Sequence, residues 1–329
     1  MFKYILKRLG ISILILLGVS IILYVLLRCM PSDFVEQKIL ALATNGVTVT
    51  DEFVEKMKAS YELDGTILQG YFKWLFNVFR LDFGESFISH REVLSDIFRA
   101  DRIGTSFFVA AVATVFEFLI AIPLGITAAT HQYSFRDYAV TVLVLIGISL
   151  PSFFFGKVLQ DVFAYKLRLF SIAGMTDANL SYNNPWDEVK DYIGHMALPI
   201  FTVTLLSIGG RMRMTRTNML EVLNADYIRT ARAKGLSESK VIYKHAFRNT
   251  LIPIVTGLAG LIPSLFSGAM ITEQVFKLTG IGSYALNAMT QGDIPVIMTY
   301  NMFLATLSVL GVLMSDLMYG LVDPRVKLA

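Results

Sequence analysis

The sequence predicts an all-α polytopic membrane protein with six transmembrane helices, and three observations carry that prediction. Apolar residues make up 54% of the chain and charged residues only 17%, against roughly 25% charged in soluble domains. The mean hydropathy is +0.58. The apolar residues gather in blocks of about 20 or more, the length that crosses a hydrocarbon core of roughly 30 Å at 1.5 Å rise per residue. Helices are expected because a lone strand cannot satisfy its backbone in lipid.

Taken in order, the first span is placed at Leu9–Leu27, after Lys3, Lys7 and Arg8. A cleaved signal peptide is the competing reading, but no small-residue site follows at Arg28-Cys-Met-Pro31 and the run is long for a signal core. The segment is read as a retained span. Pro31–Asp101 forms a loop containing Phe53, Met57, Tyr61, Leu68, Tyr71, Trp74, Leu75 and Phe79. Several of these recur at spacings of three and four, which predicts short amphipathic helices folded as a cap or scoop against the spans.

The second span is Ile103–Thr130 and the third is Tyr138–Tyr165. Lys166–Tyr192, with Asn179, Asn183, Asn184 and Pro185, reads as an irregular turn region with one short amphipathic segment, Trp186–Tyr192. The remaining spans are Ile193–Gly210, Leu251–Ile271 and Val296–Leu321. Pro123, Pro151, Pro199 and Pro263 are the expected kinks. Three regions follow: residues 1–30 as tail and first helix, 31–101 as an extracytoplasmic helical subdomain, and 102–329 as a five-helix core with a cytoplasmic loop at 211–250.

Orientation follows from lysine and arginine near the span ends. With the N-terminus inside, 15 of the 29 basic residues fall in cytoplasmic segments, nine of them between Arg211 and Arg248. Seven of the others lie from Lys38 to Arg99, in a loop too long for the positive-inside rule to count. Both termini are therefore expected in the cytoplasm.

Several chemistries lack residues to carry them. Cys29 is single, and His90, His131, His195 and His245 share no metal-ligand spacing. The nearest approach to a phosphate-binding loop, Gly147 to Gly156-Lys157, has the wrong glycine spacing and Val158 in place of Ser or Thr. No hydrolase motif is present, so neither catalysis nor ATP hydrolysis by this chain is expected.

The stretch with most content is the basic segment from Asn224 to Gly235. Asn224 is read as the cap of a helix over Ala225–Lys234, with Asp226 in its first turn, Lys234 in its last and Gly235 as a left-handed stop. A second short helix is expected from Ser237 to Phe247. Ala225, Thr230, Ala231 and Ala233 are small, and Tyr227 and Ile228 would fill a partner's apolar cleft. The residues alone permit a second reading, an amphipathic helix with Arg229, Arg232 and Lys234 against anionic lipid.

Arg229-Thr-Ala-Arg-Ala-Lys-Gly235 followed by Lys244-His-Ala-Phe-Arg-Asn-Thr-Leu-Ile-Pro253 resembles the coupling-loop motif of ATP-binding-cassette importer permeases of the oligopeptide/dipeptide/nickel branch. The resemblance spans the chain. Lys7-Arg8 with Leu17-Gly-Val-Ser20, Pro31-Ser-Asp33, Leu81-Asp-Phe-Gly84 with Ser86, Ile122-Pro-Leu-Gly125, Ile148-Ser-Leu-Pro-Ser-Phe153, Glu273-Gln-Val-Phe276, Gly280-Ile-Gly282, Asp293-Ile-Pro-Val-Ile297 and Leu321-Val-Asp-Pro-Arg325 are similar to that branch and in its order. Departures are Arg229-Thr230-Ala231 where the general motif opens Glu-Ala-Ala, a displaced proline at Pro253, Phe34 after Pro31-Ser-Asp33, and Met298 where a glutamine is common.

The resemblance implies a type I importer permease fold. It also implies a multi-pass subunit of a bacterial or archaeal cytoplasmic membrane that couples ATP hydrolysis on separate subunits to uptake. Ala225, Asp226, Tyr227, Ile228, Arg229, Thr230, Ala231, Arg232, Ala233, Lys234 and Gly235 would be the ATPase-docking helix. Implied partners are a second similar permease, two ATPase subunits holding ATP and magnesium, an extracytoplasmic binding protein and lipid, with no nucleic acid and no cofactor on this chain. Peptides are the expected cargo, with nickel chelates, glutathione or oligosaccharides as alternatives.

Two other classes compete, a stand-alone secondary transporter and a structural or sensory subunit. Intramembrane ionisable residues would favour the transporter. Lys157 and Asp161 are expected to neutralise each other at i,i+4. Glu117 reads either as an interhelical hydrogen-bond partner or as a cavity-lining group, Glu273 as a loop brace or a path group, and Asn301 as an interhelical hydrogen bond or a path group.

Overall fold

A computed structural model describes residues 2–29, 35, 39, 44, 50–60, 65–177, 184–257 and 260–322. The expectations for Tyr61, Asn179, Asn183 and most of residues 30–49 fall outside these. The described residues are mostly helical, with no strand among them and a single isolated bridge between Glu85 and Glu92.

Helix α1 (Phe2–Arg28) contains the first expected span. The loop helices form as the apolar spacing predicted: α2 is Asp51–Ser60 and α3 is Ile67–Phe79. A reciprocal capping box starts α3, with Thr66 accepting from the Gln69 amide and the Gln69 side chain accepting from the Thr66 amide. α3 docks on α1 through an aromatic cluster of Tyr24, Tyr71 and Trp74, and Tyr71 shares a hydrogen bond with Ser20 at 2.9 Å.

A short helix α4 (Val93–Ile97) precedes α5 (Ala100–Thr130). The third expected span is broken in two. α6 (Phe135–Ser149) stops because Pro151 holds Leu150 in an extended conformation (φ −88°, ψ 134°), and α7 (Ser152–Leu159) restarts after it, continuing as a π-helical turn over Gln160–Lys166.

α8 (Pro185–Leu223) absorbs the Trp186–Tyr192 segment and then runs 13 residues past Gly210, the expected span end. The helix is long because its later turns replace lipid-facing apolar residues with a buried stripe of Met212, Thr215 and Met219 against neighbouring helices. α9 is Asp226–Ala233 and α10 is Glu238–Lys240, extended by a π-helical turn over Val241–Phe247.

The fifth expected span is divided among α11 (Arg248–Gly257), α12 (Leu261–Ser267) and α13 (Met270–Phe276). Gly268, at φ +69°, separates α12 from α13 in a conformation that no helix continues. α14 (Ile281–Gln291) and α15 (Ile294–Val322) complete the described residues. Four of these helices are long and apolar enough to cross a membrane unbroken: Leu6–Arg28, Ala100–Thr130, Pro185–Leu223 and Ile294–Asp316.

α5 and α8 share the most extensive interface, and α1 lies along α15. Thr215 and the Met212 carbonyl oxygen fill the position that a β-carbon on Gly125 would occupy, so the two backbones meet closely there. Pro123 and Pro199 lie inside α5 and α8 without ending either.

Candidate functional site

α9 packs at one end of the bundle, on the last turns of α5. Its buried stripe is Ile228 and Ala231, which contact a cluster of Ile126 and Ala129 from α5, Met219 from α8, and Val241 and Ala246 from the π-helical turn. Ile228 is 0% exposed. This corrects the pairing of Tyr227 with Ile228 as residues for a partner's cleft. The helix has one apolar stripe, and the chain's own helix ends occupy it. Tyr227, 47% exposed, remains on the outward face with Arg229, Thr230, Arg232, Ala233 and Lys234.

The start of α9 also differs from expectation. Asn224 closes α8, donating from Nδ2 to the Leu220 carbonyl at 2.9 Å, while Ala225 is the extended residue that begins α9 and offers no side-chain cap. With α8 running to Leu223, the asparagine is spent on the preceding helix. Asp226 stands in the first turn, where the helix dipole favours an anion. The expected stop forms: the Gly235 amide donates to the Arg232 carbonyl at 2.9 Å, and Gly235 sits at φ +73°.

Arg232 clasps Glu238 with two hydrogen bonds, at 2.7 and 3.2 Å, tying α9 to the start of α10. The hydrogen bonds and charge of Arg232 hold the Glu238 carboxyl below the usual glutamate range. Arg229 reaches Asp226 only at 3.7 Å and is largely exposed.

Inside the bundle, two ion pairs fix α8 to its neighbours. Arg211 Nε donates to Glu117 at 2.9 Å from across the α5–α8 interface, and its guanidinium lies 4.4 Å from the centre of the Phe118 ring. Arg216 binds Asp137 through Nε and Nη2 at 2.9 and 2.8 Å, and Asp137 also accepts from the Tyr133 amide at 3.0 Å. Glu117 thus makes the interhelical bond that was one of its two readings. Arg211 directly follows the apolar block, which assigns it to the loop by sequence. A mid-span acid calls for a cation on a facing helix, and that was the available signal.

Other expected pairs are rearranged. Lys157 donates to Gln160 at 2.9 Å, and Asp161 joins Lys166 at 2.7 Å, so the two do not pair with each other. The π-helical turn changes the angular spacing from which the i,i+4 contact was expected. Asn301 donates to the Ile297 carbonyl of its own helix at 2.8 Å instead of crossing to another. Asp316 pairs with Arg8, joining α15 to α1.

At the opposite end, Glu273 is 1% exposed. It accepts from Ser106 Oγ at 2.7 Å and from the Ser283 amide at 2.7 Å. Gly268, Gly280 and Gly282 surround the carboxylate so closely that a β-carbon on any of them would approach it within 3 Å. This carboxylate is a brace between α5, α13 and α14. A second brace is Asp293, which accepts from Ser86 Oγ at 2.6 Å and from the Phe87 amide at 3.2 Å. Asp96, Arg102 and Tyr284 form a third, with Tyr284 donating to Asp96 at 2.9 Å and Arg102 pairing with it at 3.0 Å. The motif segments around Ser86, Glu273, Gly280 and Asp293, scattered over 200 residues of sequence, thus meet in one layer.

Comparison with known proteins agrees with this architecture. Residues 121–328 match the family model described as binding-protein-dependent transport system inner membrane component, and residues 1–110 match the model of its N-terminal part. The oligopeptide transport system permease protein AppB of Bacillus subtilis is 36% identical over 99% of this chain and 100% of its own. The dipeptide transport system permease protein DppB of the same organism is 33% identical over 100% of this chain and 99% of its own. A putative peptide permease protein of Brucella ovis is 33% identical over 99% of each chain. A long bundle held by internal ion pairs and glycine-cradled carboxylates, with an exposed basic helix at one end, is thereby placed: the chain belongs to the binding-protein-dependent transport system inner membrane components.

Proposed function

We propose that this chain is the permease subunit of an ATP-driven importer of peptides, with α9 as the element that receives motion from the ATPase. The observation that carries the reading is the two-sidedness of α9. Ile228 and Ala231 lock it to the ends of α5 and α8, while Tyr227, Arg229, Thr230, Ala233 and Lys234 face outward. A partner that grips the outer face can move the helix only by moving α5 and α8 with it. The peptide cargo rests on AppB and DppB, whose names state oligopeptide and dipeptide transport.

In this reading both termini and α9 lie on the cytoplasmic side. Two ATPase subunits bring ATP and magnesium, a second similar permease completes the membrane unit, and an external binding protein delivers cargo. This chain contributes no catalytic group. Glu117 and Glu273 serve by holding helices in place, because their carboxylates are engaged by Arg211 and by Ser106 and Ser283.

The test is a Tyr227→Ala, Arg229→Glu variant of the assembled transporter in proteoliposomes. Neither side chain belongs to the buried stripe, so folding should be retained. Loss of peptide-stimulated ATPase activity and of uptake is expected. Full retention of both would remove α9 from the coupling role. Arg232 is a poorer choice, since its change would also release Glu238.

A further inference from the structure

α3 carries more apolar surface than its docking on α1 uses. At about 100° per residue its side chains fall into three arcs. Ile67, Tyr71, Trp74 and Leu75 pack on Tyr24 and the core behind it. Gln69, Lys73, Asn77 and the C-cap residue Arg80 form a polar arc, and the last three line an open cavity of about 840 Å³. Leu68, Phe72, Phe76 and Phe79, at spacings of four, four and three, make a second apolar arc turned away from that cavity, and each is more than half exposed. A helix docked on one face and bathed in water on the rest carries polar residues there instead.

The depth of α3 decides what covers that arc. Tyr71 shares its 2.9 Å hydrogen bond with Ser20 and meets the Tyr24 ring edge-on, with centroids 5.6 Å apart. Ser20 precedes Leu27, the last apolar residue of α1, by two helical turns, about 10 Å. α3 therefore joins α1 below the end of its apolar run, and the same turns of α1 expose Ile21, Ile22 and Leu26. The charges agree with this depth. α3 contains no Asp or Glu, Lys73 and Arg80 border the apolar arc, and the Arg80 guanidinium lies over the Phe76 ring at 4.2 Å. Rings at acyl depth with cations at their margin suit the boundary between acyl chains and anionic phosphates. The centre of a protein interface, by contrast, is depleted of lysine.

We propose that α3 is an interfacial helix whose Leu68, Phe72, Phe76 and Phe79 face is embedded among phospholipid acyl chains, in the leaflet where α1 ends. In the orientation proposed above that is the outer leaflet. The loop expected as a cap against the spans is then bound to the membrane as well. α1 holds one face of α3 and lipid another, which leaves the polar arc and its cavity to water. Neither the cargo nor the role of α9 enters this inference.

The test is site-specific photocrosslinking in the assembled transporter. p-Benzoylphenylalanine replaces Phe72, Phe76, Gln69 or Ile22, one at a time, and each variant is placed in phosphatidylethanolamine–phosphatidylglycerol nanodiscs whose acyl chains carry a terminal alkyne. After irradiation, the lipid captured by this chain is measured by coupling a fluorophore to the alkyne. At positions 72 and 76 one exposed ring replaces another, so assembly should be retained, and co-purification of the subunits checks it. Phe72 and Phe76 should capture lipid at least about fivefold more than Gln69 on the polar arc, and close to the level of Ile22 on α1. Capture no greater than at Gln69 would return this face to water and overturn the proposal. A covalent adduct with another subunit in place of lipid would overturn it in favour of a protein interface. Either failure leaves the importer reading standing, because that reading rests on α9.

Discussion

Glu117 and Arg211 face each other near the middle of α5, where water is scarce and an unpaired charge is costly. Removing one partner of a buried pair destabilises by about 3–5 kcal/mol, whereas replacing both with apolar groups of similar volume is close to neutral. Glu117→Leu alone should therefore lower the thermal unfolding midpoint of the detergent-solubilised protein strongly. The Glu117→Leu, Arg211→Met double variant should recover most of the loss. Additive losses would show that the pair does not act as a unit. Gly280 makes a sterically sharper case. A β-carbon there would lie 2.3 and 2.4 Å from the Glu273 carboxyl and 2.6 Å from Ser106 Oγ, so Gly280→Ala must push the brace apart. A cost of about 1–3 kcal/mol, the usual range for overpacking, is expected in the same unfolding assay. Gly10, with open space around its β-position, is the control that should tolerate alanine better.

At the scale of elements, α9 and α10 are joined by Arg232 and Glu238, whose side chains are 43% and 57% exposed. Solvent screens such a pair, so its worth is at most about 1 kcal/mol. Glu238 titrates below its ordinary value in the folded state because Arg232 favours the anion. Its contribution is whole above the unfolded value, about 4.3, and is lost as pH falls through the lower folded value. Amide protection of α9, compared with a Glu238→Gln variant, should exceed the variant's at neutral pH and converge with it in acid or high salt. Equal protection at neutral pH would remove the clasp from the account. The elements readable from sequence were those whose signal is continuous. α1, α5 and α15 coincide with uninterrupted apolar runs, and the Gly235 stop needs only one residue type. Pro151, read as a kink, marks where Tyr138–Tyr165 divides, but hydropathy sums over a window and is blind to backbone direction, so it could not divide Leu251–Ile271 at Gly268. The same blindness placed Arg211 in a loop, because its partner Glu117 is 94 residues away. Asn224 and Ile228 were misassigned for one reason: α8 runs on to meet them, supplying the use for the asparagine and the cover for the isoleucine.

On the proposed function, the contacts among α5, α6, α8 and α9 would carry displacement with little internal slack. α5 and α8 touch along much of their length, from Thr204 hydrogen-bonded to the Ala113 carbonyl at 3.4 Å, through Glu117 and Arg211, to Gly125 against Thr215. α6 is pinned to the same body by Asp137 and Arg216, and α9 by Ile228. Close-packed interiors move as units because sliding one helix past another would open voids and strand polar groups. A push on α9 should therefore rotate α5, α6 and α8 together, and the α5–α8 interface should not change during transport. This is testable by locking it. Ala113→Cys with Thr204→Cys, in a Cys29→Ser background that removes the native cysteine, places two thiols on facing helices at a buried contact. Once oxidised, the transporter should keep its peptide-stimulated ATPase activity and uptake. If oxidation abolished transport and reduction restored it, α5 and α8 would have to slide during the cycle. Motion would then enter the core through their interface rather than be carried by it.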